Sequence, residues 1–542
     1  MVELTFNYIE KLQGEESLIE FIVLFGENKK LVIESSKKLG VKFEDLGIGY
    51  GIVSVKAKDF EKIGELQGVQ YIEFPKVFTI NDIQSNIASC VPQVWNNYEL
   101  KGNGVLIGFI DTGIDYTHPA FRDLTGNTRI KYIYDLYNKK IYNEEIINLA
   151  LKDSEPLNIL DIKDLAGHGT IVASVAAGGG DVNKDYYGVA PEASIIMVKI
   201  TGDGVFKSTL STQLMRGLKF LIDKSNELKM PLVVNVSLST NDGAHNGTSL
   251  IEKYIDSYCQ FNKVAVVIAA GNEGAAGHHY SAKLKGKKDI FFNIAENEKK
   301  IILQIYNSTL TKLEVEIVTP SGDSTSTIFM NEGVNRLNVG GHKIFIYNSG
   351  PKPFDKVGEI SITISVNSGS IENGQWLLRV NNITKYEGII DIWLPITARL
   401  NPKTKFLQPD PFNTLGIPAT VPSVISVGSY SSSALNYSYF SGRGVERVGS
   451  IVKPDVLAPG ENIIGAISKL RFGTETGTSV AAPQVAGVCA LMLEWGIVKN
   501  NDSYLFGERL KYYILKGAIR DKKETIYPSK HMAMDICVQE RL

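Results

Sequence analysis

Cysteine is scarce in this chain: Cys90, Cys259, Cys489 and Cys537 are the whole supply among 542 residues, far apart and in no CxxC pair. A disulfide framework is therefore not expected, and free thiols in a reducing compartment are. Basic runs are missing too. Lysine and arginine are scattered, and a net charge of −2 leaves no electrostatic footprint for nucleic acid or an anionic membrane. No apolar run approaches the length of a membrane span. The N-terminal MVELTFNYIEKLQGEESLIEF mixes acids among its apolar residues instead of placing a basic segment ahead of an apolar one. As written it is no secretory signal, and an intracellular location is the expectation. Histidines number only seven, and His245, His278 and His279 lack ligand spacing, so neither metal nor cofactor is expected.

What is present is the composition of a soluble globular protein, 44% hydrophobic and 21% charged, in a chain long enough for about three compact units. Residues 1–80 alternate strand and helix candidates: FIVLF (21–25), NKKLVIESSKKLG (28–40), IGYGIVSVKA (48–57), KDFEKIGELQGV (58–69) and QYIEF (70–74). That order in so short a span predicts a ferredoxin-like unit. A polar, unperiodic linker follows at 79–90. From about 104, near-continuous apolar runs (105–110, 193–200, 231–238, 264–270) alternate with helical stretches, the pattern of a doubly wound parallel sheet covered on both faces. Between 281 and 405 the period changes to short alternating segments such as KLEVEIVTP and EISITISV, which predicts an all-β sandwich. The α/β pattern resumes at 414–430. The expected division is 1–84, an α/β domain in two parts (85–280 and 406–542), and a β domain of 281–405 inserted within it.

Three residues carry the chemistry. Asp111 follows the apolar strand VLIGFI and opens DTGIDYTHP, at the carboxyl end where α/β sheets place reactive groups. His168 lies in AGHGTIVASVAAG and Ser479 in TGTSVAAPQVAGV, each at the start of a helix of small apolar residues. Taken singly, each is equally a helix cap. Together they are the three groups that nucleophilic catalysis by a hydroxyl needs: a base to take its proton, and a carboxylate to orient that base. Asn272, in VAVVIAAGNEG just past a buried strand, can aim an amide at a developing oxyanion, or can be an αL turn residue.

The segments DTGID, GHGTIVA, AAGNEG and GTSVAAP, in the order Asp…His…Ser, resemble the subtilase family of serine proteases. GVAPEASIIMVK (188–199) and VVNVSLS (233–239) agree. The resemblance implies a subtilisin-like fold and peptidase activity, with Ser237, Leu238 and Ser239 lining the S1 side and pairing with substrate backbone. It also makes the N-terminal unit a prodomain whose extended end passes through the cleft as first substrate. That places the scissile bond in 79–86, with the bond between Gln84 and Ser85 preferred, since small Ser85 enters the S1′ side, and the bond after Ile80 next. Ile171, Ser174 and Val480 depart from the family pattern, and 178–188 does not match its calcium loop. The inserted β domain, the missing signal and SLSTNDGAHNGTS (237–249) resemble the clostridial Csp germination proteases in particular. That likeness implies a jelly-roll insert, a cleaved prodomain that stays bound, residence in spores, and a protein substrate that is the zymogen of a cortex-lytic hydrolase. A prodomain-blocked binding partner and a general degradative subtilase remain the alternatives.

Overall fold

The computed structural model describes residues 17–518 except 81–94, 96–97, 203–207, 262, 351, 435 and 445–451. The chain divides into two compact units, one of 77–240, 251–274 and 414–542, the other of 1–76, 241–250 and 275–413.

The first unit is built on a nine-stranded sheet. Its order is Asn436–Tyr437, Ile425–Ser431, Val264–Ala269, Leu232–Val236, Leu106–Asp111, Ser194–Lys199, Ile130–Asp135 and Lys140–Asn143, with Val456–Pro459 also paired to Ile425–Ser431. The central pairings are parallel, and only the two edges (Asn436–Tyr437 and Lys140–Asn143) run antiparallel. Strands buried on both faces need apolar residues throughout, and Val264–Ala269 and Leu232–Val236 are buried at every position. Two helices are equally sheathed: every residue of His168–Ala177 and of Thr478–Leu493 is buried. Small side chains (alanine, glycine, serine) let these helices pack closely. Thr478–Val498 is long and apolar enough to cross a membrane, yet 89% of its most apolar 18-residue window is packed inside, as a core helix. Cys259 and Cys489 are buried free thiols, while Cys90 and Cys537 lie outside the described residues.

The second unit holds the N-terminal body and the β insert. The body is a four-stranded antiparallel sheet ordered Lys42–Gly47, Tyr50–Lys56, Leu18–Leu24, Tyr71–Glu73, with a helix Lys29–Leu39 and a 3-10 helix Ala57–Glu65. This is the β-α-β-β-α-β order of a ferredoxin-like unit. Lys42–Gly47 has no counterpart in the sequence reading, because an edge strand that is half-buried along most of its length shows no alternation. The insert comprises two antiparallel sheets. One has six strands, ordered His279–Leu284, Gly388–Trp393, Lys300–Ser308, Val357–Ser365, His342–Asn348 and Gly333–Val339. The other has five, ordered Ile328–Phe329, Leu313–Val318, Gly374–Asn382, Gly286–Ile294 and Lys405–Phe406. Alternation is plain in Leu313–Val318, where Leu313, Val315 and Ile317 are buried and Glu314, Glu316 and Val318 are half-buried. A core including Phe292, Trp376, Leu378 and Ile392 fills this β sandwich. His245 and His279 each stack on Trp393, with centroids 4.2 and 4.6 Å away. Among the described residues no group of three or more His, Cys, Asp or Glu is arranged to hold a metal.

Candidate active site

The carboxyl ends of the parallel strands deliver the reactive groups. Asp111 ends Leu106–Asp111, and its Oδ1 accepts the Thr112 N–H (2.7 Å) and lies 2.7 Å from His168 Nδ1. All three prospective triad residues are buried, Asp111 to 1% exposure, His168 to 4% and Ser479 to 0%. His168 opens its helix from Gly167, which is left-handed at φ 77°. Gly169 is equally specific: a Cβ there would stand 2.2 Å from Gly113 O, so only glycine lets the helix start reach the Asp111 turn. The Gly169 N–H donates to Thr112 Oγ1 at 2.8 Å, locking that approach.

Asp164 is a site residue that the sequence reading missed. Its Oδ1 accepts the Gly167 N–H (2.9 Å), and its Oδ2 accepts the Thr170 N–H and hydroxyl (2.9 and 2.7 Å), so a buried carboxylate caps the His168 helix. The signal was an aspartate just before the helix, in KDLAGHG. Burial by itself pulls the His168 imidazole down. The Asp111 carboxylate beside it overrides that and holds the imidazole above its ordinary value, with Glu475 and Asp164 contributing. With Nδ1–H committed to Asp111, Nε2 is the proton acceptor, and it has no hydrogen-bond partner among the described residues.

Asn272 follows Val264–Ala269 and has a fixed orientation. Its Oδ1 accepts from both Thr478 N–H (3.1 Å) and Thr478 Oγ1 (3.0 Å), donors that leave the amide only one way round. Thr478 Oγ1 also accepts the Gly271 N–H at 3.0 Å. The buried Nδ2 is therefore a spare donor, with no partner among the described residues, beside the helix that begins at Thr478 and carries Ser479. A preorganised donor of this kind stabilises charge that develops on a reacting carbonyl oxygen.

Extended chain is bound on the same unit. Val77–Ile80 is the middle strand of a three-stranded antiparallel sheet between Ser208–Leu210 and Leu238–Ser239. Thr79 pairs with both Ser208 and Ser239, and Ile80 pairs with Leu238. Leu238 and Ser239 thus hold a peptide backbone, whereas Ser237 does something else. Its hydroxyl donates to the Ser479 carbonyl (2.9 Å) and accepts from Asn235 Nδ2 (3.0 Å), so it steadies the helix start from behind. The sequence reading expected backbone pairing at Ser237 as well; the strand pairing to Val77–Ile80 among the described residues runs through Leu238 and Ser239. Gln84 and Ser85 lie outside the described residues.

The three departures from the family pattern meet in one place. Ile171 and Val480 pack with Val175 and Ile463 in one small cluster, and Ser174 Oγ accepts the Ala466 N–H at 2.7 Å. Gly465 has no room for a Cβ, which would stand 2.6 Å from both Ile171 Cγ1 and Ser174 Oγ. The substitutions are thus one joint repacking of the two site helices against the hairpin strand Ile463–Ile467.

A family model described as the subtilase family matches residues 102–288 and 394–527, and one described as the Csp protease B prodomain matches 4–76. The solved structure of the Clostridium perfringens CspB protease is similar at 52% identity and a TM-score of 0.80, covering 84% of this chain and 97% of that one. The PII-type proteinase of Lactococcus lactis subsp. cremoris is 25% identical over 547 residues, 89% of this chain and 28% of that protein. The major intracellular serine protease of Bacillus subtilis (strain 168) is 25% identical over 266 residues, 49% of this chain and 73% of that protein. The chain spans under a third of the length of the first curated relatives it matches.

Proposed function

The chain belongs to the subtilase family of serine peptidases, and from that premise we propose that Asp111, His168 and Ser479 form its catalytic triad and Asn272 its oxyanion donor. The Ser479 hydroxyl attacks the scissile carbonyl, and His168 Nε2 takes its proton. Asp111 holds Nδ1–H and stabilises the imidazolium that results. The carbonyl oxygen, as it becomes an oxyanion, receives the Asn272 amide. His168 then returns the proton to the leaving amine, and water repeats the sequence on the acyl-enzyme.

The first substrate is the chain itself. The observation that carries this reading is Val77–Ile80 threaded between Ser208–Leu210 and Leu238–Ser239, a peptide held as a strand on the unit that carries Ser479. The scissile bond is assigned to Gln84–Ser85. The bond after Ile80 is the second reading, favoured by the pairing of Ile80 with Leu238. The released N-terminal domain (1–84) stays bound to the peptidase domain (85–280 and 406–542) with its inserted β sandwich (281–405), which we assign to the jelly-roll type. The match to a Csp protease B prodomain and the 52% identity to a CspB protease support a role in spore germination, with a cortex-lytic hydrolase zymogen as the physiological substrate. Residence inside the spore goes with that role.

Intact-mass analysis tests this directly. The wild-type chain should yield two fragments and Ser479→Ala one full-length species. A Ser479→Ala chain that still cleaves itself refutes the triad, and a new N-terminus outside 80–87 refutes the bond.

A further inference from the structure

The N-terminal body and the β insert fall into one compact unit, and buried charged groups take part in joining them alongside aromatic and apolar side chains. Lys76 is buried, with Nζ 3.3 Å from Asp242 Oδ1, and the same oxygen accepts Gln304 Nε2 of the insert at 2.5 Å. Both carboxylate oxygens of buried Glu73 accept the Leu250 N–H at 3.3 Å. On the insert, Lys352 Nζ is 2.9 Å from Glu359 Oε2, and the Phe354 ring stands edge-on to Tyr71 at 5.0 Å. A cavity of about 980 Å³ follows this joint, lined among others by Glu73, Lys76, Lys352 and Glu359. Four carboxyl groups here (Glu73, Asp242, Glu332 and Glu359) face two ammonium groups. Burial would raise the Glu359 carboxyl, but Lys352 and Lys76 hold it at about 2, so the two lysines act on it together.

None of these groups belongs to the triad, and an apolar joint would hold two permanently connected domains at least as well. Charged faces have a different advantage: both stay hydrated once separated, which suits pieces of a chain that are cut apart and must remain soluble. Along the chain the residues of the joint adjoin the bound strand and its partner. Lys76 immediately precedes Val77, and Asp242 lies three residues beyond Ser239, the partner of Thr79.

We propose that the insert and the loop 241–250 form an ionic latch that retains the cleaved N-terminal domain through Tyr71, Glu73 and Lys76, so that the insert's task is to keep that domain docked. This rests on the autoprocessing reading above. Lys76 and Lys352 are the cationic members, and Asp242 and Glu359 are the anionic ones. Opening the latch frees the strand slot at Leu238–Ser239 for other peptides.

The test separates the latch from the self-cleavage. A recognition site for a sequence-specific protease is placed within 86–92 of the Ser479→Ala chain, which is cut there and passed over a size-exclusion column. The N-terminal fragment should co-elute with the parent chain. Lys352→Ala and Asp242→Lys should each weaken retention about a hundredfold and shed it, since the first removes the cation 2.9 Å from Glu359 and the second sets another cation beside buried Lys76. The exchange Lys76→Asp with Asp242→Lys should restore co-elution. In the Ser479-intact background, Lys352→Ala should increase turnover of a fluorogenic peptide. Retention in Lys352→Ala and Asp242→Lys equal to the parent overturns the latch, as does an exchange variant that sheds the fragment like Asp242→Lys. A wild-type chain that never cleaves itself refutes autoprocessing and leaves the engineered-cut result to decide the latch alone.

Discussion

Replacing Gly169 with alanine loads one contact that the prospective active site cannot spare. The new Cβ would stand 2.2 Å from Gly113 O, 3.0 Å from Gly113 N and 3.1 Å from Asp111 Oδ1. Backbone lies on both sides of the closest contact, so no flexible side chain can yield. Cβ contacts under 3.0 Å essentially never occur, and the helix start must therefore retreat from the Asp111 turn by about 0.8 Å. That retreat stretches the 2.7 Å Asp111–His168 contact and the 2.8 Å Gly169–Thr112 bond. Overpacking of this kind costs about 1–3 kcal/mol, which a domain with about 5–15 kcal/mol of stability survives. Catalysis is less tolerant, since misplacement on the order of 1 Å costs about a hundredfold in rate. Gly169→Ala should therefore fold, melt a few degrees lower and cleave itself about a hundredfold more slowly. Gly167→Ala is the control. It has φ 77° but nothing within 4 Å of its Cβ, so it carries only left-handed backbone strain of about 1–2 kcal/mol and should keep its rate within a few-fold. Timed intact-mass analysis and a melting curve measure both quantities. A Gly169→Ala chain that processes at the wild-type rate, or a Gly167→Ala chain equally impaired, would refute the reasoning.

Asn272→Ala should lower kcat about 10²–10³-fold with KM nearly unchanged, because the amide acts on the transition state; a rise in KM alone would count against an oxyanion role. Only neutral His168 can accept the Ser479 proton, and Asp111 raises its pKa. The acid limb of kcat/KM should therefore begin to fall above pH 6.5, and in Asp111→Asn it should move to lower pH. Lys453 and Lys511 share the single carboxylate of buried Asp455, and burial pulls Lys453 down to about 8. The unfolded chain then holds a proton that the folded chain releases, so this group adds stability as pH rises from about 8 to 10.5. Lys453→Met should leave the pH 7 melting temperature unchanged or higher and remove that rise, while Asp455→Ala should cost about 3–5 kcal/mol.

Much of the prospective active site was legible before any coordinates. Strands buried on both faces must be apolar throughout, and helices buried all round must be apolar and small, so Leu106–Asp111, Val264–Ala269, His168–Ala177 and Thr478–Leu493 are written in composition alone. The positions of Asp111, His168, Asn272 and Ser479 follow, because each sits at the end of one of these elements. The period-2 insert was legible for the same reason: its inward and outward faces meet different solvents. Edge strand Lys42–Gly47 was not, since a strand half-buried along most of its length carries no contrast between faces.

What sequence by itself determined is therefore the local part: which segments bury, with which period, and which polar residues stand at their ends. Only tertiary structure decided the part that depends on long-range approach. It made Asp164 the cap of the His168 helix, set the Ser237 hydroxyl on the Ser479 carbonyl, and gathered Ile171, Ser174 and Val480 into one repacked contact. It also joined the N-terminal body to the loop 241–250 through Lys76 and Asp242, 166 positions apart. A hydrogen bond or ion pair between distant positions leaves no periodic trace in a chain, because either partner alone reads as an ordinary polar residue; the fold alone supplies the second half of each pair.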